Sequence, residues 1–165
     1  MKTKSLGILV GVAAILGGVV TWMMIPVQYS SNGVSFSVPR FTKVQEVSST
    51  AGNYKNFEMS AGKSTISVSI PIAATTPPVV LASEVPAAAV GLKTTTNAFQ
   101  NHAGSTATYT MKPAAGDTTS SNSTVVWRMY ASSISSSPVS WKFTRGDSDG
   151  SLDDVWAKIQ SSITW

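Results

Sequence analysis

Beyond residue 33 the chain alternates apolar and polar residues with a period of two. Val34-Ser35-Phe36-Ser37-Val38 puts three apolar side chains on one face and two hydroxyls on the other, and Pro39 ends the run. Asn56 to Ser60 alternates in the same way. Thr65 to Ile72 does so over a longer stretch, with Ile66, Val68, Ile70 and Ile72 sharing a face and Ser67 and Ser69 opposite. Thr106 to Met111, Thr124 to Ala131 and Val139 to Arg145 repeat the pattern, and Lys43 to Val47 is a shorter candidate. Apolar-in, polar-out alternation predicts an antiparallel sheet with one solvated face. Pro71 cannot donate to a ladder, so the end of its strand is expected at an edge or a bulge.

Two segments depart from that period. Leu152, Val155, Trp156, Ile159 and Ile163 recur at helical spacing, which predicts one apolar helix face. Ser151 stands at the N-cap position, with Asp153 and Asp154 in the first turn where the helix dipole favours anions. The charged stretch RGDSDGSLDD, residues 145 to 154, is thereby read as a strand end, a turn and a helix start. Between Ser83 and Asn101 a second helix is expected, opened by Ser83 and Pro86, although Gly91 and Thr94-Thr95-Thr96 oppose it. AATTPP, residues 73 to 78, and PAAGDTTSSNS, residues 113 to 123, read as loops, the latter as the most mobile segment, and residues 132 to 138 as a hairpin connection.

The N-terminus has neither period. LGILVGVAAILGGVVTWMMI, residues 6 to 25, is 20 consecutive residues without a charge. As a helix this rises about 30 Å, the thickness of a bilayer's hydrocarbon core. Lys2 and Lys4 precede it and the next basic residue is Arg40, so the positive-inside rule predicts a cytoplasmic N-terminus and an external C-terminus. Trp22 lies near the outer end, where an indole suits the headgroup layer. The expected organisation is residues 1–5 in the cytoplasm, 6–25 as a transmembrane signal-anchor helix, 26–33 as a linker reaching about 26 Å at most, and 34–165 as an extracytoplasmic α+β domain. The alternative is a cleaved signal peptide and a secreted domain, but the apolar run is long for one and no A-x-A site follows it. A pilin-type leader cut at Gly7 is a third possibility, although Val12 stands where such subunits carry a glutamate.

Composition narrows the chemistry. The 165 residues contain no Cys, which excludes disulfides, thiolate metal sites, a Cys nucleophile and a lipid-modified cysteine. With one His, a multi-histidine metal site cannot form within a chain. The formal charge is +4, but Lys2 and Lys4 supply half of it and the other basic residues are scattered, so no nucleic-acid partner is expected.

A calcium loop on Asp147, Asp149 and Asp153 fails the EF-hand pattern, with Leu152 at the sixth position and Lys158 at the twelfth. Arg145-Gly146-Asp147 matches an adhesion triplet that arises easily by chance. Ser60-Ala61-Gly62-Lys63 matches S-x-x-K, but the companion motifs of penicillin-binding proteins are missing. His102 lacks a nucleophile elbow nearby. Trp127, Trp141, Trp156 and Trp165 suit a core better than a sugar platform. Asn122-Ser123-Thr124 is a glycosylation sequon. No catalytic, cofactor-binding or metal-ligating residue is assigned, and no cofactor is expected.

In layout the chain resembles PsbP-like domains. VQYSSNGVSFSVP, residues 27 to 39, is similar to that family's opening polar turn, strand and proline. VSWKFTR followed by DDVWAKIQSSITW is similar to its closing strand and helix. The resemblance implies an antiparallel sheet covered by helices in an extracytoplasmic accessory or binding module. The fold expected is therefore α+β, an antiparallel sheet with the C-terminal helix on one face, preceded by one transmembrane helix. The function expected is a membrane-anchored binding or accessory module without catalysis, meeting the membrane through residues 6–25 and an unidentified protein or surface ligand beyond it. The alternative is a pilin-like filament subunit assembled through the N-terminal helix.

Overall fold

The structure, a computed structural model, describes residues 25–48, 54–72, 85–113, 115, 121–131 and 138–165. The apolar run 6–25, all but its last residue, lies outside the described residues, as do the AATTPP loop and most of the 113–123 loop. Among the described residues no helix is long and apolar enough to cross a membrane.

Nine strands and one helix are described: β1 Val27–Ser31, β2 Val34–Val38, β3 Gln45–Ser48, β4 Tyr54–Ala61, β5 Ser64–Pro71, β6 Ala89–Phe99, β7 His102–Met111, β8 Ser123–Ala131, β9 Pro138–Gly146 and α1 Asp153–Ser162. β1 and β2 form a separate hairpin. The other seven form one sheet in the order β3-β4-β5-β9-β8-β7-β6. Every pairing is antiparallel. The fold is α+β, with the helix C-terminal, as the alternation and the 152–163 spacing predict.

The helix and the β1–β2 hairpin cover the same face of the sheet. Ile66, Val68 and Ile70 of β5 and Val139, Trp141 and Phe143 of β9 supply the sheet side of this core. Leu152, Val155, Ile159 and Ile163 supply the helix side, and Val34, Phe36 and Val38 the hairpin side. Tyr29, Phe36 and Phe57 pack as a triangle with ring centroids 5.3 to 5.7 Å apart, which docks the hairpin on β4. Phe99, Tyr130 and Trp141 form a second triangle at 5.3 to 5.6 Å. Such contacts combine large apolar burial with favourable ring geometry. Beyond α1 the chain bonds back to the hairpin through Ser35 and Thr164, each N–H donating to the other's carbonyl at 2.9 and 2.8 Å. A smaller cluster of Ala107, Tyr109, Val125, Trp127 and Met129 occupies the opposite face of β7 and β8.

Three expectations change. Residues 26–33 are not a connector: Val27–Ser31 is a strand, joined to β2 by Asn32-Gly33 with φ of 47° and 83°. Both central residues at positive φ make this a type I′ turn, for which Asn-Gly is the preferred sequence. The helix expected over 83–101 is a strand instead. β6 runs through Thr94-Thr95-Thr96, whose β-branched side chains favour extended backbone. Gly91, at φ 67°, sits where the β6–β7 register shifts between Val90 and Lys93. The third change, at Ser151, belongs to the candidate site. Pro71 behaves as expected: it closes β5 opposite Tyr54, past the last residue that β9 pairs, Ser69.

Candidate functional site

Three connections meet at one end of the sheet: residues 39–44 after β2, the Gly62-Lys63 turn between β4 and β5, and residues 147–152 between β9 and α1. The turn follows from sequence. Ala61 pairs with Ser64, leaving a two-residue loop with Gly62 first at φ 57°, the position that type II′ hairpins reserve for glycine.

Asp149 joins two of these connections. Its Oδ2 accepts from the Lys63 N–H at 2.6 Å and from the Ser64 hydroxyl at 3.0 Å, and its Oδ1 accepts from the Ser151 N–H at 3.0 Å. Ser64 is fully buried, and its oxygen also accepts from the Gly146 N–H at 3.2 Å. A methyl group on Gly62 would stand 2.7 Å from Asp149 Oδ2, so the glycine serves both the turn and this close approach. Donors on Ser151, then Lys63 and Ser64, hold the Asp149 carboxyl far below the usual carboxylate range.

This arrangement corrects the expected helix start. Ser151 is not the N-cap: Leu152 holds that position, with no side-chain cap bond. The Ser151 hydroxyl donates to the Ala61 carbonyl at 2.9 Å, tying the loop to β4. The first turn is tied instead through Asp153, whose N–H donates to the Gly150 carbonyl and whose Oδ2 meets Arg145 Nη2 at 2.8 Å. Asp149, which the sequence places in the turn between strand and helix, is the hub of the loop.

A pH prediction follows from the carboxylate bonds. The folded pKa of Asp149 lies below its unfolded value of about 3.9, so the unfolded chain binds the proton more readily. The stabilisation is present above that value and is lost as pH falls below it. In urea titrations, Asp149→Asn is expected to lower the midpoint at neutral pH, with the gap to the parent narrowing below about pH 4. Parallel pH profiles for the two proteins would refute the assignment.

The other candidate residues are dispersed. Asp147 is exposed, Asp149 is occupied by protein donors and Asp153 by Arg145; among the described residues no group of acidic or His side chains is placed to hold a metal. Arg145 also donates from Nε to the Asp149 carbonyl at 3.1 Å, so its guanidinium is folded onto the loop rather than displayed with Asp147. Lys63 Nζ donates to the Ser121 hydroxyl at 3.5 Å. His102 lies at the other end of the sheet, stacked on Trp165 at 4.1 Å, with Nδ1 2.9 Å from the Ala131 carbonyl. A carbonyl only accepts, so Nδ1 carries the proton. Trp141 is in the main core, Trp127 in the smaller cluster, and Trp156 is half-buried on Phe143 at 5.3 Å. Asn122 of the sequon is exposed beside the loop, its carbonyl accepting from the Asp147 N–H.

The concavity at this end was not foreseen from sequence. A groove of about 400 Å³ opens between the 39–43 segment, the end of β4 and the start of α1. Pro39, Phe41, Ala61, Leu152 and Val155 make it apolar, Arg40 and Lys43 place two cations along one side, and Thr42, Ser60 and Ser151 add hydroxyls. Phe41 is 69% exposed. Among the described residues the lining holds no carboxylate and no imidazole, so what it offers is an apolar surface beside positive charge, suited to holding a group that is apolar with an anionic end. Sequence could have flagged one signal, an aromatic between two cations in Arg40-Phe41-Thr42-Lys43, in a segment whose alternation had just ended at Pro39.

No known protein-family model matches this chain, and a search of curated proteins finds no match.

Proposed function

We propose that this chain is a membrane-anchored extracytoplasmic module that binds a partner or supports a complex, without catalysis of its own. The observation that carries the reading is the uncharged run 6–25 behind Lys2 and Lys4, which ends at Ile25, two residues before β1 begins. Such a run is long enough to span a bilayer, and the lysines orient it with the folded domain outside. The groove beside residues 39–43 supports a binding role, since its lining provides contact and charge. The resemblance to PsbP-like accessory domains belongs to the same proposal.

Fractionation tests it. Full-length chain is expected in the membrane pellet after alkaline carbonate extraction, with its original N-terminus. A mature N-terminus near residues 20 to 30, or release into the carbonate supernatant, would refute an anchored module. Shedding by mechanical shear as a high-mass polymer would establish the filament subunit in its place.

A further inference from the structure

The groove and the point where the chain enters the domain lie at the same end. Val27 pairs with Val38, so the start of β1 sits beside the exit of β2, and Arg40 Nε donates to the Ile25 carbonyl at 3.4 Å. The register carries this end across the sheet. Gly146 pairs with Ser123, Ser123 with Met111, and Met111 with Ala89, which brings the start of β6 to the same side. Of the five large apolar side chains exposed among the described residues, Ile25, Phe41, Val90 and Leu92 are at this end. Ile72 alone is at the other, just past Pro71, whose carbonyl accepts from Asn32 in the β1–β2 turn.

We infer that this end of the domain rests on the bilayer, with Phe41 inserted at the headgroup level and Arg40 and Lys43 against anionic lipid phosphates. The inference rests on the anchored reading above and adds the orientation of the domain and the class of surface it recognises. Ile25 is the last residue of the apolar run, so a spanning segment brings it to the interface. Its bond to Arg40 leaves the neighbouring Phe41 within a side chain's reach of the same plane. An exposed aromatic next to the bilayer gains by burying its ring at the headgroup boundary, and flanking cations gain from anionic lipid within a Debye length. Asp147 and Asp154, both exposed on the same end, oppose anionic lipid, so the attraction is local to the 40–43 segment rather than spread over the whole end.

The absence of Cys makes the test direct, because one introduced cysteine is one labelling site. Full-length protein would be reconstituted into vesicles of equal parts phosphatidylcholine and phosphatidylglycerol, carrying a nitroxide at Phe41→Cys, Ile72→Cys or Ile15→Cys. Collision with membrane-enriched oxygen and with a water-soluble nickel chelate reports depth. The label at 41 is expected to be shielded from nickel several-fold relative to the label at 72, and to lose part of that shielding in Arg40→Gln/Lys43→Gln. Equal nickel access at 41 and 72 overturns the inference. In that case the label at 15 shows which claim failed: if it is buried in lipid the anchor stands and the orientation falls, and if nickel reaches it both fall. Shielding at 41 that is unchanged by the double substitution and by removing phosphatidylglycerol overturns the anionic part.

Discussion

Trp141→Ala is expected to cost about 3–5 kcal/mol, lowering the urea midpoint with little change in slope. Trp141 has no exposed surface, stands on β9 in the middle of the sheet, and stacks on Tyr130 at 5.3 Å with Phe99 edge-on at 5.6 Å. Removing the indole takes away a large buried area and leaves a void that strands β5 and β8 cannot close without moving their ladders. Trp156 makes the useful comparison. From its helical spacing it counts as core, yet it is half-buried and meets Phe143 on one side. Trp156→Ala is therefore expected to cost less, about 1–2 kcal/mol, since only part of the transfer free energy of a buried side chain is at stake. Equal losses at the two positions would contradict the packing described.

Gly104→Ala is the second large effect, and it acts by crowding. Gly104 pairs with Tyr130, and a Cβ there would run into the Met129 carbonyl and the Tyr130 ring. The carbonyl belongs to the β8 backbone, so relief requires shifting a strand that is bonded on both sides. Tyr130 is also held, because its hydroxyl donates to Asn97 at 3.0 Å and its ring stacks on Trp141. Glycine within a strand marks a close approach of this kind. The expected loss is about 3 kcal/mol, the upper part of the range for overpacking. A stability change below about 0.5 kcal/mol, the scatter of surface substitutions, would show that β8 yields at this point.

Most of the sheet was legible because its core strands obey one rule. β2, β5 and β9 alternate cleanly, each burying one face against α1 or the hairpin, and burial is what writes a period into sequence. β6 escaped because it is an edge strand, exposed along nearly its whole length, so neither face requires apolar residues. Its turn to β7 carried no warning either: Gln100 and Asn101 adopt φ of 49° and 68° without a glycine. The Gln100 side chain bonds the Ile163 carbonyl at 2.8 Å, a long-range contact that helps hold the turn. β1 is a different kind of miss, since Asn32-Gly33 is a strong hairpin signal but the strand before it is short and mostly polar. The hub at Asp149 could not be read locally, because its partners Lys63 and Ser64 are 86 and 85 residues away. A run of aspartates looks the same in sequence whether solvent or backbone donors surround it.

The β1–β2 hairpin has a mechanical consequence. It stands outside the seven-stranded sheet and is the first folded element after Ile25. A force applied to the domain from its N-terminal side would reach the Val27↔Val38 pair first and open the ladder rung by rung rather than shearing all rungs together. Tyr29, lodged between Phe36 and Phe57, is where side-chain packing begins to resist. Peeling β1 back to the Asn32-Gly33 turn would release about 25 Å of chain at the contour of an extended backbone, while the helix and sheet keep their contacts. Under the anchored reading proposed above, a load on the N-terminus would meet this hairpin in series ahead of the sheet.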